Sequence, residues 1–204
     1  MNTIKEVYDS IALDFSRTRF KVWPGVATFL DTFLSNAYVL DIGCGNGKNM
    51  LYRSSLNMTG IDISTELLKI CQSKNLNVLE SSMTCIPLVS SSFDGIIAIA
   101  SYHHLDNDDD RKHALDEMYR LLKYGGIVLI TVWAMEQGPG SKQKFTKNDE
   151  IVSWKDKYSG TVFERYYHIY SKGDLIKEIN RLKPEFTVIK EEYDCSNWYV
   201  YLIK

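Results

Sequence analysis

Residues 39–49, Val-Leu-Asp-Ile-Gly-Cys-Gly-Asn-Gly-Lys-Asn, run from an apolar strand through an acid, Asp41, into three glycines within five positions. Gly43, Gly45 and Gly47 carry no Cβ and can take positive φ, so a bulky ligand can lie against bare backbone where a helix begins. A second apolar stretch, Met58 to Asp62, ends in a carboxylate suited to accepting both hydroxyls of a ribose. Phosphate-binding loops fit less well. A Walker loop needs a hydroxyl residue after its lysine, and Asn49 follows Lys48; the G-x-G-x-x-G spacing is missed by one residue. An acid ahead of the loop repels a pyrophosphate and attracts a cation.

Outward from this stretch, 204 residues with 45% hydrophobic content suffice to bury one α/β core, and the expectation is a single domain over 1–204. No apolar run reaches membrane-span length and the N-terminus lacks the apolar core of a signal peptide, so the reading is a cytoplasmic protein with no membrane association. Cys44, Cys71, Cys85 and Cys195 show no paired metal-ligand spacing; reduced thiols and no metal are expected. A net charge of −2 argues against holding nucleic acid by bulk charge, so any RNA site is a local patch.

Apolar residues at helical spacing (Ile4, Val7, Tyr8, Ile11, Ala12, Phe15), then Pro24 ahead of Phe29, Leu30, Phe33 and Leu34, predict two helices within residues 1–36. Strands follow at Tyr38 to Ile42, Met58 to Asp62, Asn77 to Glu80, Phe93 to Ala98 and Ile127 to Trp133. Helices are expected at Ser64 to Lys74 and Asp110 to Leu122, the latter ended by Gly125-Gly126. The alternation predicts a doubly wound, mostly parallel sheet of the Rossmann-like kind. Composition over 137–150 marks a mobile loop. Beyond it come a helix from Ser171 to Leu182 and two strands, Phe186 to Glu191 and Trp198 to Ile203, closing the sheet as a C-terminal β-hairpin, seven strands in all.

The glycine loop with its leading acid resembles the S-adenosylmethionine loop of class I methyltransferases. Further blocks resemble a narrower family, the eukaryotic tRNA wobble-uridine carboxymethyl methyltransferases, including the methyltransferase domain of the AlkB-homologue tRNA hydroxylase. They are Val7 to Ala12, Phe15 to Arg19, Lys21 to Pro24, Ala98 to Ala100, His103 to Leu105, Val132 to Gln137, Arg165 to His168, and Tyr193-Asp194 with Asn197-Trp198. The resemblance implies methyl transfer from S-adenosylmethionine to the carboxylate of 5-carboxymethyluridine in the tRNA anticodon loop, with S-adenosylhomocysteine as product. It also implies a small zinc-binding activator subunit as partner. Cofactor contacts are expected from Asp41, Gly43, Cys44, Gly45, Gly47, Asp62, Ile63, Ser82, Met83 and Ala100. Ser82 stands where the family often has an acid, so the adenine contact falls to a hydroxyl or to backbone near Met83.

A carboxylate with a pKa near ~4 is ionised at neutral pH, so its methylation needs no general base and positioning dominates. His103 and His104, at the end of the fourth strand where open α/β sheets bind ligands, and Arg165 are the candidate catalytic residues. Arg17, Arg19, Lys21, Trp23, Tyr166 and His168 are the candidate substrate contacts, a basic and aromatic mixture suited to a splayed-out base and its phosphates. Lysines 142, 144, 147, 155 and 157, interleaved with Trp154 and Tyr158, read either as a phosphate-binding loop or as a plain exposed loop. Asp9 and Asp94 read as caps or turns, Trp133 and Trp198 as sheet-core aromatics. A small-molecule carboxyl or oxygen methyltransferase and a weakly active cofactor-binding scaffold are the competing functions.

Overall fold

Strand β1 (Tyr38–Ile42) lies between β2 (Asn57–Asp62) and β4 (Phe93–Ile99) in a seven-stranded sheet. β3 (Val78–Glu80) forms one edge; β5 (Leu122–Trp133), β9 (Asn197–Ile203) and β8 (Thr187–Asp194) extend the other side. β1 to β5 are parallel, and β9 pairs antiparallel with both β5 and β8. The structure, a computed structural model, describes residues 3–138, 141, 143–156 and 160–204.

Alternate residues of the central strands feed two separate cores. Leu40, Ile96 and Val128 meet α4 (Asp108–Leu121) and α5 (Asp174–Leu182) through Leu115, Met118, Leu175 and Ile179. Val39, Ile97 and Leu129 meet α2 (Pro24–Asp31) and α3 (Thr65–Gln72) through Phe29, Leu30, Leu68 and Cys71. Burial on both faces is why β1 and β4 read as continuous apolar runs rather than alternating ones. Each such side chain contributes about 1.5–3 kcal/mol as an upper bound.

α1 (Ile4–Thr18) begins with a reciprocal cap: the Glu6 N–H donates to Thr3 Oγ1 at 3.3 Å, and the Thr3 N–H donates to Glu6 Oε2 at 2.8 Å. Pro24 occupies the first turn of α2, where its missing N–H leaves no bond unmade. Asp9 caps α3 from outside, accepting from Ser64 Oγ and the Glu66 N–H; Asp94 accepts from the Tyr38 N–H and pairs with Lys123.

Four expectations need correction. No α-helix follows the glycine loop: residues 43–55 form successive turns. Gly125-Gly126 does not end α4, which stops at Leu121; the pair lies within β5, where the ladder to β4 shifts register between Phe93 and Gly95. α5 starts at Asp174, because Gly173 with φ 79° turns the chain into it. The sequence reading also missed a hairpin, β6 (Asp149–Lys155) and β7 (Val162–His168), which forms its own two-stranded sheet. Asp149 and Glu150, expected in the loop, begin this hairpin. Lys142, Lys157 and Tyr158 lie outside the described residues.

Candidate functional site

The strand order reverses at β1, so the connections leaving β1 and β4 part there and open a crevice above the strand ends, the usual ligand position in open α/β sheets. A cavity of about 210 Å³ occupies it, reached by the glycine loop, by Asp62 and Ile63, by Ser82 and Met83, and by Ala100 to Leu105. Two loop glycines are set by packing. A Cβ on Gly43 would stand 2.4 Å from Ser101 Cβ, whose hydroxyl donates to Ile42 O at 2.8 Å. A Cβ on Gly47 would stand 2.3 Å from Leu76 Cδ1, and Gly47 does not line the cavity. Gly45 does, with only Phe15 near its Cβ direction.

Asp62 closes the loop over itself. Its Oδ2 accepts the Gly45 N–H at 2.8 Å and its Oδ1 the Ser64 N–H at 2.9 Å, leaving each oxygen further accepting capacity. Burial raises its carboxyl above the usual range, against the backbone N–H groups that lower it. Asp41 lies beneath the cavity wall rather than on it. It is fully buried, Asn49 Nδ2 donates weakly to its Oδ2 at 3.4 Å, and its Oδ1 has no partner among the described residues. Burial pushes this carboxyl up to about 7. Asn49, which does line the cavity, stands between Asp41 and any ligand. Cys44 lines the cavity too, and the Cys71 thiol donates to Gly45 O at 3.2 Å.

The two histidines of the 3-10 turn Tyr102–His104 separate in role. His104 is saturated: its Nδ1–H donates to Tyr166 O at 2.8 Å and its Nε2 accepts from the Tyr8 hydroxyl at 2.8 Å, tying α1 to β7. Burial depresses its pKa to about 4, so it is neutral. His103 accepts the Trp133 N–H on Nδ1 at 3.1 Å, which assigns the proton to Nε2. That Nε2 has no partner among the described residues. Burial first, then His104 and Arg165, holds its pKa well below the ordinary value.

Arg165 is the most informative side chain. It is only 4% exposed, it lines the cavity, and no carboxylate lies within 4 Å of it among the described residues. Its guanidinium sits 5.1 Å from the Trp154 ring, 5.2 Å from Tyr167 and 5.9 Å from Tyr8. Arg19 stacks on Phe15 and Trp154 and also has no carboxylate within 4 Å among the described residues. Its pKa is lowered by burial, with Arg165 adding to the effect.

The strand pleat splits the remaining candidates. Arg165 and Tyr167 face the cavity, so Tyr166 and His168 face away, and both meet Asp149 Oδ1. Arg17 lies in a different groove with Asp9, Glu66 and Asp156, and Lys21 is exposed over the Phe20 ring; neither lines the cavity. Trp23 does, with Lys48 4.9 Å above its ring. Trp198 is buried in the core as expected, whereas Trp133 forms cavity wall, stacked on Tyr167 at 4.2 Å. Lys144, Lys147 and Lys155 are exposed outside the cavity. Tyr8, Phe15, Lys48 and Asn49 were not expected in the site. Tyr8 and Phe15 read as apolar helix face, and only their place in the N-terminal blocks Val7 to Ala12 and Phe15 to Arg19 hinted otherwise.

A methyltransferase-domain family model matches residues 40–130. Solved relatives share the fold at low identity: a SAM-dependent methyltransferase from Methanosarcina mazei superposes with TM-score 0.69 and 17% identity, covering 90% of this chain and 98% of that one. The glycopeptide N-methyltransferase MtfA, complexed with S-adenosylhomocysteine, gives TM-score 0.66 and 16% identity over 88% of this chain and 85% of that one. The tRNA (carboxymethyluridine(34)-5-O)-methyltransferase of Arabidopsis thaliana is 46% identical over 134 residues, 66% of this chain. The chain spans 33% of that protein's length and 40% of the Xenopus tropicalis relative's. The protein of the same name from Schizosaccharomyces pombe is 32% identical over 218 residues, 97% of this chain and 94% of that one. Identity sustained across nearly the full length of both chains places this protein in the family of tRNA (carboxymethyluridine(34)-5-O)-methyltransferases.

Proposed function

We propose that this chain transfers the methyl group of S-adenosylmethionine to the carboxylate of 5-carboxymethyluridine at the tRNA wobble position, giving the methyl ester and S-adenosylhomocysteine. The observation that carries the substrate class is Arg165, a buried guanidinium in an aromatic cage with no carboxylate within 4 Å among the described residues. A buried charge is retained without a partner where a ligand supplies one.

The wall fits the cofactor. Asp62 keeps acceptor capacity for two ribose hydroxyls, Gly45 offers bare backbone, and Ile63, Leu67 and Met83 offer an apolar bed for a purine. Ser82 Oγ shares a hydrogen bond with Thr84 Oγ1 and accepts the Thr84 N–H, so it shapes this turn. When bound, the cofactor supplies an electrophilic sulfonium methyl. Two carboxylates then need cations: Arg19 and Lys48, beside the loop, serve the cofactor's amino-acid end, and Arg165 serves the substrate. His103 stays neutral and offers its Nε2–H to one substrate oxygen, which fixes the carboxylate's rotation while the other oxygen remains free to attack. Alignment of this sort is worth up to about 7–11 kcal/mol in effective-molarity terms. No proton leaves the substrate in this step, consistent with two histidines held neutral.

In this reading the chain acts as one domain over 1–204 on the tRNA anticodon loop in the cytoplasm, with the small zinc-binding activator subunit that the family resemblance implies. Among the described residues no helix is long and apolar enough to cross a membrane. The test is transfer of labelled methyl to tRNA containing 5-carboxymethyluridine, with and without prior amidation of its carboxylate. Ester formation on the acid alone is expected; equal labelling of tRNA and of free small carboxylates would return the site to small-molecule chemistry.

A further inference from the structure

A second groove, about 330 Å³, runs along the outer side of the glycine loop. It is lined by Phe20, Tyr52, Lys74 and Leu51, and it shares Arg19, Asn46 and Lys48 with the methyl-transfer cavity, so the two adjoin across these residues. Lys74 Nζ donates to Asn46 O at 2.7 Å, which holds the ammonium at the groove and leaves its other two N–H bonds unassigned. Neither Lys74, Lys48 nor the adjacent Lys21 has a carboxylate within 4 Å among the described residues, while Lys69, Lys112, Lys177 and Lys190 elsewhere are each paired. Asp31, the acid nearby, accepts the Tyr52 hydroxyl at 2.9 Å. Beside these cations stand exposed apolar surfaces: Phe20 is 74% exposed, Leu51 54% and Tyr52 40%. A single exposed aromatic is ordinary; several beside unpaired cations, in a chain of net charge −2, form a local site.

We propose that this groove is the track for a single RNA strand flanking the modified nucleotide, with Lys74 and Lys21 facing phosphates and Phe20 stacking on a base. Unpaired ammonium groups interleaved with exposed rings match single-stranded nucleic acid, whose every base presents a face to stack and every linkage a negative charge. The inference deepens the proposed function by assigning a contact surface outside the reaction cavity. Arg19 lines both spaces and marks where the strand would bend from the groove into the cavity.

The test uses the full chain and a fluorescently labelled anticodon stem-loop RNA, with affinity read by anisotropy across a salt series. Lys74→Gln keeps a donor for Asn46 O and removes the charge; Phe20→Ala removes the ring without touching the core. Each is expected to weaken RNA binding about tenfold at low salt. Lys74→Gln should lower the slope of log affinity against log salt by about 0.7, and Phe20→Ala should leave it unchanged. Methyl transfer to the free 5-carboxymethyluridine nucleoside should match wild type in both. Wild-type RNA affinity in both variants overturns the proposal, as does an equal loss on the nucleoside, which would make the groove part of the cavity. Because RNA binding is read without chemistry, a wild-type protein that binds RNA but methylates neither acceptor sinks the substrate assignment and leaves the groove standing.

Discussion

Desolvating a guanidinium that has no acid beside it among the described residues opposes folding by several kcal/mol, which the three rings around Arg165 offset only in part. Its removal therefore separates stability from function. Arg165→Ala is expected to leave the melting temperature unchanged or higher and the cofactor affinity intact, while slowing single-turnover transfer to the carboxylate about 10- to 100-fold, or about 1.4–2.7 kcal/mol. A large fall in melting temperature would make the arginine structural. Asp62 is different, because its two oxygens already hold the loop and the start of α3 together. In Asp62→Asn one oxygen becomes an NH₂ that opposes either the Gly45 or the Ser64 N–H and cannot accept from a ribose. Calorimetric cofactor affinity should drop at least about 100-fold; an unchanged value in a folded variant would remove Asp62 from the site. Both residues were legible in the sequence, Asp62 from its strand end and Arg165 from its motif. What the sequence does not carry is orientation: the pleat of β7 puts Arg165 and Tyr167 on the cavity and Tyr166 and His168 on Asp149.

At the scale of elements, the sheet was readable because its central strands β1, β2 and β4 are short, largely apolar and mostly buried, β1 broken by Gly43 and β2 ended by Asp62. The β6–β7 hairpin was not, because it packs on the cavity rather than on the sheet. Only Val152, Arg165 and Tyr167 of its strands are buried, and polar or charged residues fill half of its positions, so no long apolar run remains. The hairpin hangs on His104, whose ring bridges Tyr8 and the Tyr166 carbonyl. Protonating Nε2 would expel the Tyr8 hydroxyl proton from its acceptor. With a native pKa of about 4 against 6.5 unfolded, the unfolded chain binds more protons between these values, so this contribution is lost as pH falls from 6.5 toward 4. Asp41, raised from 3.8 to about 7, acts in the opposite sense: its contribution is lost as pH rises through the same window. The two oppose each other, which flattens the wild-type profile. Denaturant unfolding at pH 7 and pH 5 should show His104→Gln gaining about 2 kcal/mol on going to pH 5 relative to wild type. Parallel profiles for the two proteins would show that His104 is not held neutral by the fold.

The whole molecule joins these parts through one crevice, and binding there is linked to global stability. Loop, α1 and hairpin meet the ligand space from three directions: Asn46 Nδ2 donates to Arg19 O at 2.8 Å, Tyr8 reaches His104, and Arg165 comes from β7. A ligand bound only by the native state at 100 times its Kd adds about 2.7 kcal/mol. For a domain near 200 residues each kcal/mol moves the melting temperature about 2–4 °C, so S-adenosylhomocysteine should raise it by about 5–10 °C. The pattern across variants matters more than the size of the shift. Asp62→Asn should abolish it, whereas Arg165→Ala and Phe20→Ala should keep it in full, since neither touches the cofactor wall. RNA added without cofactor should act in the reverse pattern, its shift roughly halved in Phe20→Ala, as a tenfold weaker affinity requires, and retained in Asp62→Asn. If one variant lost both shifts while remaining folded, the crevice and the groove would be a single binding unit, and the division of cations between cofactor, substrate carboxylate and RNA backbone would fall with it.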